Sequence, residues 1–183
     1  MSLDDPVLAV APQTQATAAG SGIPPRWSKR TIGTDTRSAG IHDLVFVSVK
    51  AHSLPEIAPH LPALCGPATP VVYIVNGIPW WYGHGLDKSR PAAPDLSRLD
   101  PGGALAKAVG LHRVMGGAIT SPNHVIEPGV VHNEQPDRNT LWVGEIDDKQ
   151  TPRVEALRKA LIGAGIGSPS TRDIRYDIWH KLM

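Results

Sequence analysis

Two apolar runs separated by a helix-like stretch constrain this chain more than any other feature. Leu44-Val45-Phe46-Val47-Ser48-Val49 is nearly continuous and β-rich, of the sort buried on both faces of a parallel sheet, and Pro70-Val71-Val72-Tyr73-Ile74-Val75 is a second such run. Between them Leu54, Ile57, Ala58, Leu61 and Leu64 recur at three- and four-residue intervals, with Ser53 placed as N-cap and Gly66-Pro67 ending the pattern. Pro55 is tolerable at an opening position of that helix, whereas Pro59 should kink it. Strand, helix and strand in one sheet imply a right-handed parallel crossover, so the expected class is α/β.

The remaining elements are shorter. Gly102 to Val109 reads as a short helix, and Arg113 to Ile119, Val130 to Asn133 and Thr140 to Val143 read as strands, punctuated by turns at Pro128-Gly129 and Pro136-Asp137. Thr151 or Pro152 opens a helix with Val154, Leu157, Leu161 and Ile162 on one face, closed by Gly163 and Gly165. A last helix runs from about Arg172 to the C-terminus. Residues 1–38 differ in texture: Gln13 to Gly22 is almost wholly Ala, Thr, Gln, Gly and Ser, followed by Pro24-Pro25, and is expected to be poorly ordered. Only Val7-Leu8-Ala9-Val10 there has strand character.

Composition narrows the partners. The chain has 18 Lys and Arg against 17 Asp and Glu, so it lacks the one-signed field that draws proteins to nucleic acid or an anionic membrane, and a small molecule is the better expectation. No apolar run approaches the roughly 20 residues that span a bilayer, and the single Cys65 fits a reducing compartment, so a cytoplasmic location is expected. The eight histidines show no metal-type spacing. Gly163-Ala164-Gly165-Ile166-Gly167 follows a helix rather than a buried strand and is not read as a phosphate loop.

Three polar residues stand where chemistry is done in such folds. Asn76 in Asn76-Gly77 lies at the C-terminal end of a buried strand, outside which ligands of open α/β sheets bind, and its amide offers an acceptor and two donors. An ordinary Asn-Gly turn accounts for the same dipeptide. Lys50 ends the preceding strand and should point into the same crevice, unless it is simply a solvated strand-end lysine. In the last helix Ile174, Ile178 and Leu182 form one stripe with Lys181 inside it, which aims an ammonium at the buried face. Desolvation there lowers a lysine pKa toward what a proton donor to an alkoxide needs; a lysine near a helix C-terminus is the bland reading. Trp80-Trp81-Tyr82 is read either as a stacking platform for a base or sugar or as packing.

Together Asp43 to Ala51, Asn76-Gly77-Ile78-Pro79-Trp80-Trp81, Asp100-Pro101-Gly102-Gly103, Pro128 to His132, Gly144-Glu145, Arg153-Val154 and Asp173 to Leu182 resemble the ketopantoate reductase (2-dehydropantoate 2-reductase) family, in order, over some three quarters of the chain. The resemblance implies a Rossmann-type NADP(H)-binding domain, a helical C-terminal domain, and hydride transfer from NADPH to the ketone of 2-dehydropantoate. It makes Lys181 the lysine that protonates the carbonyl oxygen, Asn76 an asparagine touching cofactor and substrate, and Lys50 a cofactor contact. The Gly-x-Gly-x-x-Gly loop and the strand that precedes it in the family are not seen, and the helical domain that follows the lysine does not follow it here. The expectation is therefore an incomplete Rossmann-type domain over residues 39–183, truncated at both ends, with impaired catalysis and an unpaired sheet edge open to self-association or a partner. A non-catalytic interaction module of the same fold, or a reductase of another 2-oxo acid, are the alternatives.

Overall fold

The computed structural model describes residues 35–128 and 130–183; the Val7–Val10 run and nearly all of the low-complexity segment lie outside them. Four strands form the main sheet: β1 (Val45–Val47), β2 (Val71–Tyr73), β3 (Val114–Thr120) and β6 (Thr140–Glu145), in that spatial order. β1, β2 and β3 are parallel, as the crossover reading requires, and β6 closes the sheet antiparallel to β3. Between β3 and β6 the chain makes a separate hairpin of β4 (Asn123–Glu127) and β5 (Val130–Asn133).

Alternation along the strands divides the core between the two faces. Val71 and Tyr73 point to one side, with Leu54, Leu61, Trp80, Trp81 and Ile174, while Val72 points to the other, with Met115, Leu141, Val143, Val154, Leu157 and Leu161. The second face is covered by α4 (Pro152–Gly163). Thr151 caps α4 by accepting from the Val154 amide, and its hydroxyl donates to the buried Glu145 at the end of β6. Arg153 makes two hydrogen bonds to the same carboxylate and a third to the carbonyl of His112, so sheet, helix and the β3 entry are tied at one point.

Several sequence expectations are corrected. β1 is not buried on both faces: Phe46 is 42% exposed, because α4 packs over β6 and the sheet centre and does not extend to β1. The stretch from Leu54 to Leu64 buries the expected stripe, but only α2 (Leu54–Ile57) is α-helical; 3-10 turns flank it at Ala51–Ser53 and Ala58–Leu64. Pro59 and Pro62 each remove an amide that an α-helix needs, which leaves the tighter winding. Ser53 makes no side-chain cap there, because its backbone is already helical. Ile162 is 56% exposed, one position beyond the stripe that α4 buries. A one-turn helix, α1 (Thr36–Ala39), capped by Asp35 and burying Thr36, lies across the expected boundary at residue 38. The helix at Ala104–Val109 (α3) and the turn at Pro128 agree with the sequence reading.

The last helix, α5 (Ile174–Leu182), opens at Asp173, whose carboxylate accepts from the amides of Arg175 and Tyr176. It lies over β3 and β6. Close approach is possible because Gly116 of β3 pairs with Gly144 of β6. A Cβ on Gly116 would stand 2.5 Å from the Trp81 ring and 2.9 Å from Ile174, so this shallow trough accepts only glycine without rearrangement. No helix among the described residues is long and apolar enough to cross a membrane.

Candidate functional site

The C-terminal ends of β2 and β3 and the last turns of α5 meet at one spot. β2 runs out through Ile74 and Val75 into Asn76-Gly77, where Gly77 takes a φ of +89° that lets the chain turn away from the sheet. α5 buries Ile174 and Ile178 against the sheet, which swings Lys181, one turn further along, toward the same strand end. The Lys181 Nζ donates to Oδ1 of Asn76 at 2.6 Å, across 105 residues of sequence. Gly117 and Ala118 of β3 floor the cleft between them, whose free volume is about 10 Å³, room for one water-sized sphere. The described cleft therefore has no room for a ligand larger than water until its walls move apart.

The electrostatics suit a proton donor. Partial burial pulls the Lys181 ammonium below the usual lysine range. Lys181 and Leu182 remain largely exposed, so the sequence expectation of a lysine on a buried face is corrected: only its ammonium end is partly desolvated. With the Asn76 oxygen engaged by Lys181, what Asn76 offers a ligand is its two amide N–H groups. Lys50 does not join them. It lies beyond β1, the outer strand, and does not line the cleft over β2 and β3. Trp80 and Trp81 are 3% and 0% exposed and pack the core, so of the three aromatics only the half-buried Tyr82 keeps an accessible face.

A second polar cluster, unforeseen from sequence, anchors the start of α5. Arg175 is 1% exposed and donates to the carbonyls of Tyr82, His84 and Ile146, with Asp148 3.5 Å away. Arg90 bridges Asp173 at 2.7 Å and Asp148 at 3.3 Å. Its one sequence signal was the position of Arg175 beside the buried Ile174, which by itself suggests only a surface arginine.

The two aspartates titrate in opposite senses. Burial works to raise Asp173, but the Arg90 hydrogen bond and the amides of Tyr176 and Arg175 outweigh it and hold the carboxyl below its usual 3.8. Asp148 is raised, first by burial and then by the neighbouring Asp173. A lowered folded-state pKa means that Asp173 contributes stability above the usual value and loses it as pH falls through the folded one; Asp148 is relieved by the same acidification. Unfolding by denaturant across an acid pH series should show Asp173→Asn less stable at neutral pH and flatter on acidification than the parent. Parallel acid limbs in the two proteins would refute the assignment.

No family model matches the chain. It is 36% identical over 143 residues to the 2-dehydropantoate 2-reductase of Mesorhizobium japonicum, covering 78% of this chain and 43% of the relative. A crystal structure from Ralstonia solanacearum, ascribed to a ketopantoate reductase, aligns with a TM-score of 0.72 at 30% identity over 82% of this chain and 46% of that one. A D-mandelate dehydrogenase solved with NADH and anilino(oxo)acetate shares the fold, with a TM-score of 0.58 at 19% identity over 77% of this chain and 38% of that one. The chain thus spans less than half the length of each.

Proposed function

We propose that this chain, a partial relative of the ketopantoate reductases, carries the proton-donating part of a site that reduces a small 2-oxo acid, with 2-dehydropantoate as substrate and NADPH as hydride donor. The observation that carries the reading is the 2.6 Å contact between Lys181 and Asn76 at the strand ends. NADPH, when bound, supplies the hydride to the carbonyl carbon. As the carbonyl electron pair moves onto oxygen, the Lys181 ammonium gives that oxygen a proton and becomes a neutral amine, which its partial desolvation favours. The Asn76 N–H groups would orient the carbonyl and could hydrogen-bond a ribose or carboxamide of the cofactor when it is bound. Among the described residues no glycine-rich turn joins a buried strand to a helix, so these residues would hold the nicotinamide half of the cofactor and not its pyrophosphate.

The test is ligand-induced change at the two residues, read by NMR of the Lys181 side chain and the Asn76 amide while 2-dehydropantoate is added with and without NADPH. Both signals should move, and neither should respond to a simple alcohol of similar size. Signals that stay fixed at millimolar substrate would sink the proposal.

A second reading has its own observation. β1 pairs only with β2 among the described residues, with Phe46 exposed beside that open edge and Ile41 71% exposed nearby, so the sheet can accept another strand. On this reading the domain is an interaction module. Light scattering on the same samples separates the two: a mass that rises with concentration, with no ligand response, favours association.

A further inference from the structure

Lys181 and Asn76 are held together by more than their own hydrogen bond. Asn76 and Tyr82 are the ends of one short segment, and Arg175 and Lys181 are the ends of another, the helical one. Lys181 joins Asn76 at one pair of ends. At the other pair, Arg175 Nε donates to the Tyr82 carbonyl at 3.0 Å, and Nη2 donates to His84 at 2.6 Å and to Ile146 at 2.8 Å. Two arms joined at both ends make a closed ring, and the Trp179 indole N–H adds a link near its Arg175 end by donating to the Tyr82 hydroxyl at 3.0 Å.

We propose that Arg175 is the positioning residue of this site: its guanidinium clamps the 82–84 turn to the first turn of α5 and thereby sets where Lys181 meets Asn76. The proposal rests on the reading of Lys181 and Asn76 as the working pair. Arginine suits the task because its N–H groups diverge in a fixed plane, so one group reaches three carbonyls on two segments, Tyr82 and His84 on one and Ile146 after β6 on the other. Its faces are used as well, the guanidinium carbon lying 5.3 Å from the Trp81 ring centre and 5.4 Å from that of Tyr82. Trp81 in turn sits in the Gly116 trough, so the clamp is seated on the sheet and not on a mobile surface.

A lysine in place of Arg175 keeps the charge but loses the planar fork, and its ammonium cannot serve carbonyls on both segments with the same geometry. A methionine keeps the apolar stem and loses every bond. If Arg175 only stabilised the fold, both variants would lower stability and leave Lys181 alone wherever the fold survives. If it positions, Lys181 itself responds.

The experiment is a side-chain NMR titration of lysine in the ligand-free chain, comparing the parent with Arg175→Lys and Arg175→Met, at a temperature where circular dichroism shows each folded. In the parent Lys181 should titrate below the chain's exposed lysines. In Arg175→Met its titration should shift upward from the parent's, and in Arg175→Lys it should lie between the two. A Lys181 titration unchanged in a folded Arg175→Lys or Arg175→Met overturns the proposal. Should the methionine variant not fold, the lysine variant alone decides. Because the titration needs no ligand, a failed response to 2-dehydropantoate would strike the functional reading and leave this result standing on its own.

Discussion

Lys181→Ala should lower whatever NADPH oxidation the purified chain supports with 2-dehydropantoate by about 10²–10⁴-fold, the usual contribution of a positioned general acid. The loss should fall on kcat more than on KM, because the proton transfer is made only as the hydride arrives and the ground state gains little from it. Lys181→Arg is the sharper comparison. It keeps the positive charge and can still reach Asn76, yet a guanidinium does not release its proton at neutral pH, so it should be nearly as slow as alanine. Stopped-flow or steady-state absorbance at saturating NADPH measures both. An alanine variant that oxidises NADPH as fast as the parent would remove Lys181 from the reaction.

Trp81→Ala should cost about 3–5 kcal/mol of stability, the range for deleting a fully buried tryptophan. Its ring is 0% exposed, fills the trough at Gly116, and lies under the Arg175 guanidinium, so truncation opens a cavity and removes a cation–π contact together. Trp81→Phe should be far milder: the ring nitrogen that it deletes has no hydrogen-bond partner in its buried position. The reciprocal change tests the same contact. Gly116→Ala should cost roughly 1–3 kcal/mol through overpacking, since its Cβ would meet ring carbons of Trp81 at 2.5 and 2.7 Å. Phenylalanine lacks the outer part of that ring, so Trp81→Phe should recover part of the loss in the double variant. Denaturant unfolding of the four proteins gives the coupling, and strictly additive values would show that the two residues do not touch.

The strand at Val71–Tyr73 was legible because burial on both faces demands continuous apolar sequence, that at Val45–Val47 because its run is apolar although only one face is buried, and parallel pairing followed from the segment between them. β4 was not, because all five of its residues are exposed and a strand that buries nothing leaves no apolar alternation to read. The prolines of the 54–64 stretch were visible, but the choice between a kinked α-helix and 3-10 winding depends on which amides find partners after folding. Asn76 and Lys181 were legible for different reasons, one as the residue just past a buried strand and the other as a break in an apolar helical stripe. Their contact confirms the placement of neither role by itself, only that the fold brings them together. Lys50 shared the strand-end logic and stands apart, since sequence does not tell which of two neighbouring strands lies nearer the helix that closes the site. Arg175 was illegible because a buried arginine is announced by the carbonyls around it, and those belong to segments far away in sequence.

The distance along the chain between the two halves of the site has a cost in chain statistics. Bringing together residues 105 apart from an unfolded ensemble costs on the order of 4 kcal/mol by the length-dependent part of loop closure. A single hydrogen bond from a charged donor returns roughly 1.5–3 kcal/mol, so the pair cannot recruit itself. It is a passenger on contacts formed elsewhere: the β3–β6 ladder, the glycine trough and the burial of Ile174 and Ile178. Synthetic peptides spanning 70–82 and 172–183, mixed in solution, would hold both reactive side chains and none of their relation to one another.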